Sequence, residues 1–129
     1  MSDKMVRSGA AILCAVVGGL YVAIGFGFIR VVEQPADKPL VLAVLGGIYL
    51  AMGAALWLTD RIGLLVGAAA FQLMVMAGYL AVASNREPAF EGWGIALKLA
   101  EVVICAALAY LVLHHARHAD TAHFAHAAG

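Results

Sequence analysis

Glu101 stands inside the apolar run from Trp93 to Leu113, and the only other charged residue in that run is Lys98, one helical turn before it. A carboxyl group among apolar side chains can carry a proton, pair with an ammonium or hold a polar ligand, and each of these chemistries needs hydrogen-bonding partners. Lys98, Gln72, Tyr21 and Tyr49 are the residues able to supply them. Counted from the ends of their own apolar segments, Tyr21, Tyr49, Gln72 and Glu101 all fall within a few residues of the middle, so a single layer would contain them. On a helix, Gly94, Lys98, Glu101 and Cys105 make one stripe. Two readings stay open. In the first, Glu101 is structural, either paired with Lys98 or protonated and hydrogen-bonded to Tyr or Gln. In the second, Glu101, Lys98, Gln72, Tyr21 and Tyr49 bind a proton or a polar ligand, because ionisable groups inside a membrane are functional suspects by default.

The elements that must position these residues are visible as four apolar runs, Ala10 to Ile29, Leu40 to Leu58, Ile62 to Ala83 and Trp93 to Leu113. Every Asp, Glu, Lys and Arg other than Lys98 and Glu101 lies outside them. Each run is close to the roughly 20 residues with which an α-helix crosses about 30 Å of hydrocarbon. With 64% hydrophobic and 12% charged residues the chain falls outside the composition of soluble domains. A soluble bundle would also need polar faces at helical spacing, which these runs lack. The sequence therefore predicts an all-α fold: one integral membrane four-helix bundle over residues 1–129, with helices over about 10–29, 40–58, 62–83 and 93–113, short loops and a His-rich C-terminal tail. In that setting an ionised carboxylate costs roughly 2.5 to 3.5 kcal/mol on insertion scales, so Glu101 should face the bundle interior. Lys98 has a stem long enough to reach toward headgroups, and Glu101 does not. Lys4 and Arg7 precede the first run as they would in a secretory signal, but the run is too long and lacks a small-residue cleavage site, so a retained helix is expected.

Between the first two runs, Asp37 can cap and Pro39 can open the second helix. Thr59, Asp60 and Arg61 form the whole second connection, with Thr59 or Asp60 as N-cap, which makes the second and third helices antiparallel neighbours. The third connection holds Pro88 and several charges and reads as a solvated loop. After Leu113 the chain reads as a helical continuation that frays. Lys4, Arg7, Arg61 and Arg117 collect on one side of the membrane, and Arg30, Lys38 and Arg86 on the other. The positive-inside rule then favours both termini in the cytoplasm. Trp57 and Trp93 fall near opposite interfaces, where amphipathic rings are comfortable.

One segment occurs almost twice. VVGGLYVAIG, from Val16 to Gly25, is echoed by VLGGIYLAMG, from Val44 to Gly53, with the glycine pairs 18/46, 19/47 and 25/53 and the tyrosine pair 21/49 in register. On a helix, Gly18 and Gly25 flank Tyr21, while Ala11, Ala15, Gly19, Ala23 and Gly27 run down the opposite side. The second helix copies both features, with Gly46 and Gly53 around Tyr49 and Ala43, Gly47, Ala51 and Ala55 behind. Lipid gives no hydrophobic reward for helix association, so close approach along small residues is a main source of packing energy. The echo reads first as packing. Two small faces on one helix exceed what a minimal bundle needs, which points to the bilayer plus a homo-oligomer or another membrane protein, met through Gly19, Ala23, Gly47 and Ala51.

His114, His115, His118, His123 and His126 all lie beyond the fourth run. The spacings 114/118 and 123/126 can hold a divalent metal, but no Cys or carboxylate set completes a site, so a solvated tail is the expectation. Cys14 and Cys105 sit far apart in apolar runs and read as small packing residues. Net charge is zero, which offers no basic surface for nucleic acid. No nucleophile with its base, phosphate-binding glycine loop or thiol pair is present, so catalysis is the least supported class and no cofactor is expected.

The GGIYLAMG segment in the second helix, the very short turn after it and a fourth helix containing KLAEVV resemble the small four-helix bacterial membrane proteins grouped as DoxX-like, over Ala11 to Leu113. The resemblance implies an accessory subunit in a bacterial inner membrane. The reading that results is a small non-enzymatic membrane protein, self-associating or accessory to a membrane complex. The competing reading is a small proton-coupled carrier built around Glu101.

Overall fold

The computed structural model describes residues 2–29, 39–85 and 92–128. Four helices account for most of them: α1 Asp3–Gly25, α2 Pro39–Leu58, α3 Ile62–Ala83 and α4 Gly92–Ala127. All four are long and apolar enough to cross a bilayer, and no strand occurs among the described residues. The all-α four-helix architecture is the one the apolar runs imply.

Three boundaries differ clearly from those runs, two of them for identifiable reasons. α1 begins at Asp3 and ends at Gly25, although Phe26 to Ile29 are apolar. The stop is a Schellman cap: Gly27 takes φ +78, its N–H donates to Ile24 O at 3.0 Å, and the N–H of Phe28 donates to Ala23 O at 2.9 Å. Gly27 is thus a cap residue and no part of the small line on α1. At the other end of the chain α4 runs on to Ala127, because the Ala- and His-rich segment after Leu113 keeps satisfying backbone hydrogen bonds where hydropathy has faded. Pro39 does open α2, while Asp37 lies outside the described residues. Arg30, Lys38, Arg86 and Pro88 lie outside them too. The N-cap position of α3 belongs to Arg61 and carries no side-chain cap, in place of the expected Thr59 or Asp60. Asp60 instead approaches Arg7, with Oδ2 3.5 Å from Nη1, tying the α2–α3 turn to the start of α1.

Packing around the bundle is uneven. α1 and α2 lie against each other most closely, α3 pairs with α4, α4 also touches α1, and the α2–α3 side is the sparsest. The second and third helices are therefore antiparallel through their short turn but only lightly packed. Glycine explains the tight pair. A Cβ on Gly18 would come 2.8 Å from the Gly46 carbonyl oxygen, and one on Gly46 would come 2.6 Å from the Gly18 carbonyl oxygen. Gly18 also faces the amide of Leu50, and Gly46 the amide of Val22. Each of these partners is the other's counterpart in the sequence echo, so the two copies exchange identical contacts across a local twofold axis perpendicular to the helices. Gly53 repeats the approach against Ala11, at 2.9 Å from its carbonyl oxygen. On the loose side, larger groups span the gap, with the Tyr49 and Phe71 rings meeting edge to face at 5.6 Å.

Candidate functional site

Each helix sends one polar side chain into the centre of the bundle, and α4 sends two. Tyr21 comes from α1 on the turn between Gly18 and Gly25, and Tyr49 from the matching turn of α2 between Gly46 and Gly53; all four glycines are buried. With backbones this close, the two rings stack at 5.8 Å with an interplanar angle of 23°. Gln72 comes from α3, and Lys98 and Glu101 from successive turns of α4.

The hydrogen bonds form one connected set. Tyr21 Oη donates to Glu101 Oε1 at 2.6 Å, and Lys98 Nζ donates to Glu101 Oε2 at 2.5 Å and to Tyr21 Oη at 3.2 Å. Tyr49 Oη donates to Gln72 Oε1 at 2.9 Å, and Gln72 Nε2 donates to the main-chain carbonyl of Glu101 at 3.3 Å. Glu101 and Gln72 are 0% exposed, whereas the Lys98 side chain is 16% exposed. Both carboxylate oxygens therefore have a donor, as a charge removed from water requires. All five residues singled out from the sequence are brought together.

The echo between α1 and α2 extends to the two tyrosines of this cluster. The stacked tyrosines are echo counterparts, and each hydroxyl reaches across to the pair α3/α4: one finds a carboxylate, the other a carboxamide. Glu101 and Gln72 have the same shape and differ in charge, so the two echo tyrosines meet partners of unlike charge. The bias falls on the α1–α4 side, where Lys98 joins.

Tyr79 is a member that sequence reasoning missed. Its ring centroid lies 4.6 Å from Lys98 Nζ, a cation–π distance, and its hydroxyl lies over Gly94, where an added Cβ would meet it at 3.0 Å. The available signals were the echo AGYLAVA around Tyr79 and the placement of Gly94 one turn before Lys98.

The other candidate residues lie away from the cluster. Gly19, Gly47 and Ala51 are exposed on the outside of the α1/α2 pair, Ala23 is half-buried, and a Cβ on Gly19 or Gly47 would meet nothing within 4 Å. Cys14 is buried beside Gly53, Cys105 is half-buried, and both are free thiols. At the other end of α4, His114 Nδ1 comes within 2.8 Å of Asp3 Oδ2, without hydrogen-bond alignment, and its ring meets His118 edge-on at 4.5 Å. The side chains of His123 and His126 lie outside the described residues. Among those that are described, no three His, Cys, Asp or Glu groups converge as a metal site.

The bundle is thus that of a small protein with four candidate membrane-spanning helices and a polar centre in which Glu101 and Gln72 are fully buried. Comparison with protein-family models, with curated proteins and with solved structures gave no match.

Proposed function

We propose that this chain is a non-catalytic integral membrane subunit that self-associates, or joins another membrane protein, through the outer face of α1 and α2. The observation that carries the reading is the closure of the polar centre. Glu101 and Gln72 have no exposure and have partners on other helices, so they bind the rods to one another. A hub of this kind favours one arrangement of helices over others, since any other leaves polar groups unpaired in hydrocarbon. The small line left uncovered at Gly19 and Gly47 supports association: backbone can be approached closely there, and the bundle itself does not use it. An accessory role of this sort is also what the DoxX-like layout implies, as is a bacterial inner membrane.

Native mass spectrometry in mild detergent tests the proposal. Wild-type protein should be a dimer or larger, or carry a stoichiometric partner, and Gly19→Leu with Gly47→Leu should yield folded monomer. A wild-type protein that is monomeric and alone would overturn it. The carrier reading has one observation in its favour, the partial exposure of Lys98, and proton-coupled solute flux in liposomes that is lost in Glu101→Gln would establish it.

A further inference from the structure

The Lys98 ammonium sits in a socket built from other residues. Glu101 Oε2 and Tyr21 Oη accept its hydrogen bonds, and the face of Tyr79 covers another side at 4.6 Å. A carboxylate, a phenol oxygen and an aromatic face are the groups that recognise an organic ammonium: the first two fix its N–H bonds, and the ring attracts the remaining charge. Nothing in this set requires the ammonium to belong to the chain. Gly94 leaves room for the third wall, because a Cβ there would crowd the Tyr79 hydroxyl.

Lys98, like Tyr79, is only partly buried, unlike the rest of the hub. Its side chain is 16% exposed, against 6% for Tyr21 and 0% for Tyr49, Gln72 and Glu101. A four-carbon stem lets the charged head withdraw along apolar surface toward the headgroups. Were another cation to enter as it left, Glu101 would never be stranded without a counter-charge, which is the costly outcome for a buried carboxylate. We infer that the socket is a binding site for a small primary alkylammonium, closed in the ligand-free protein by Lys98 and opened when Lys98 yields its place. This goes beyond a structural hub, because the same contacts that hold the helices would then exchange an internal cation for an external one. Carboxylates and neutral solutes have no corresponding place.

A primary ammonium is carried both by free amines and by the phosphatidylethanolamine headgroup. The test titrates butylammonium, whose chain matches the Lys98 stem, into wild-type protein in nanodiscs without phosphatidylethanolamine, followed by calorimetry. Saturable binding is expected, with none for butanol or butyrate. Glu101→Gln should abolish it, and Tyr79→Leu should weaken it about fivefold through loss of the cation–π contact. Lys98→Met should tighten it about tenfold or more, since apparent affinity falls with the fraction of sites held shut. Absence of binding to wild type, or equal binding by Glu101→Gln, overturns the inference. Binding that occurs in Lys98→Met alone overturns it too, as a vacated socket is then all that remains. Should Lys98→Met or Glu101→Gln fail to fold, the wild-type titration and Tyr79→Leu, which keeps the ion pair, still decide. Weaker apparent affinity in discs containing phosphatidylethanolamine would assign the lipid headgroup as a competing occupant, and unchanged affinity would assign free amines.

Discussion

Lys98→Met leaves Glu101, itself fully buried, without its counter-charge. Breaking a buried pair from one side costs about 3 kcal/mol or more, whereas removing both charges together is often close to neutral. Equilibrium unfolding in mixed micelles should therefore show Lys98→Met strongly destabilised and the double variant Lys98→Met, Glu101→Leu recovering much of the loss. Additive losses would mean the two residues are not coupled. The tyrosines should differ in the same assay. Tyr49→Phe removes one neutral donor from Gln72 and should cost about 1 kcal/mol. Tyr21→Phe should cost more, because its hydroxyl both donates to Glu101 and accepts from Lys98. At this scale much was legible beforehand: depth along each apolar run is set by simple counting, and it placed Tyr21, Tyr49, Gln72 and Glu101 in one layer. Tyr79 escaped because its role depends on how α3 is rotated about its own axis, which counting along a nearly uniform apolar helix does not reveal.

Helix pairing turns on adjacent glycines that differ sharply in what surrounds them. Gly18→Ala or Gly46→Ala would press a methyl group into the backbone of the facing helix, which cannot step aside as a side chain can. Each should lower stability by about 2 kcal/mol, in the range for overpacking. Gly19→Ala and Gly47→Ala meet only open space and should change monomer stability by less than about 1 kcal/mol. Thermal unfolding of the four single variants separates the two classes, and equal effects would contradict the close α1/α2 approach. The sequence echo exposed both glycine lines but could not say which one faced inward, since each repeats at helical spacing. Helix ends were the least legible. Hydropathy reports the match to hydrocarbon, while the backbone obeys caps: α1 stops at a Gly27 Schellman turn inside an apolar stretch, and α4 continues through a polar one.

The molecule as a whole carries little information about which way up it sits. α1 and α2 are nearly interchangeable by a half-turn, and the flanking Lys and Arg residues favour one orientation by a single charge. The proposed arrangement has both termini in the cytoplasm. A fluorescent-protein fusion at the C-terminus should then light up, and a fusion to a periplasm-dependent phosphatase at the same place should stay inactive. Ser84→Lys with Asn85→Lys adds positive charge at the opposite end of the bundle and should split or invert the population in both reporters. The number of spans was plain from composition, since four runs free of most charge leave few alternatives. Their order of closeness was not, because it depends on which helix pairs can bring bare backbone together.

The polar centre also bears on how the protein is made. α1, α2 and α3 precede α4 in the chain, and their apolar runs bear only neutral polar groups. Glu101 and its cation Lys98 arrive together on α4, three residues apart, already able to neutralise each other during insertion. A chain cut short before α4 would leave the Gln72 amide and the Tyr21 hydroxyl without these partners. Insertion of α4 thus locks the arrangement of the three helices before it.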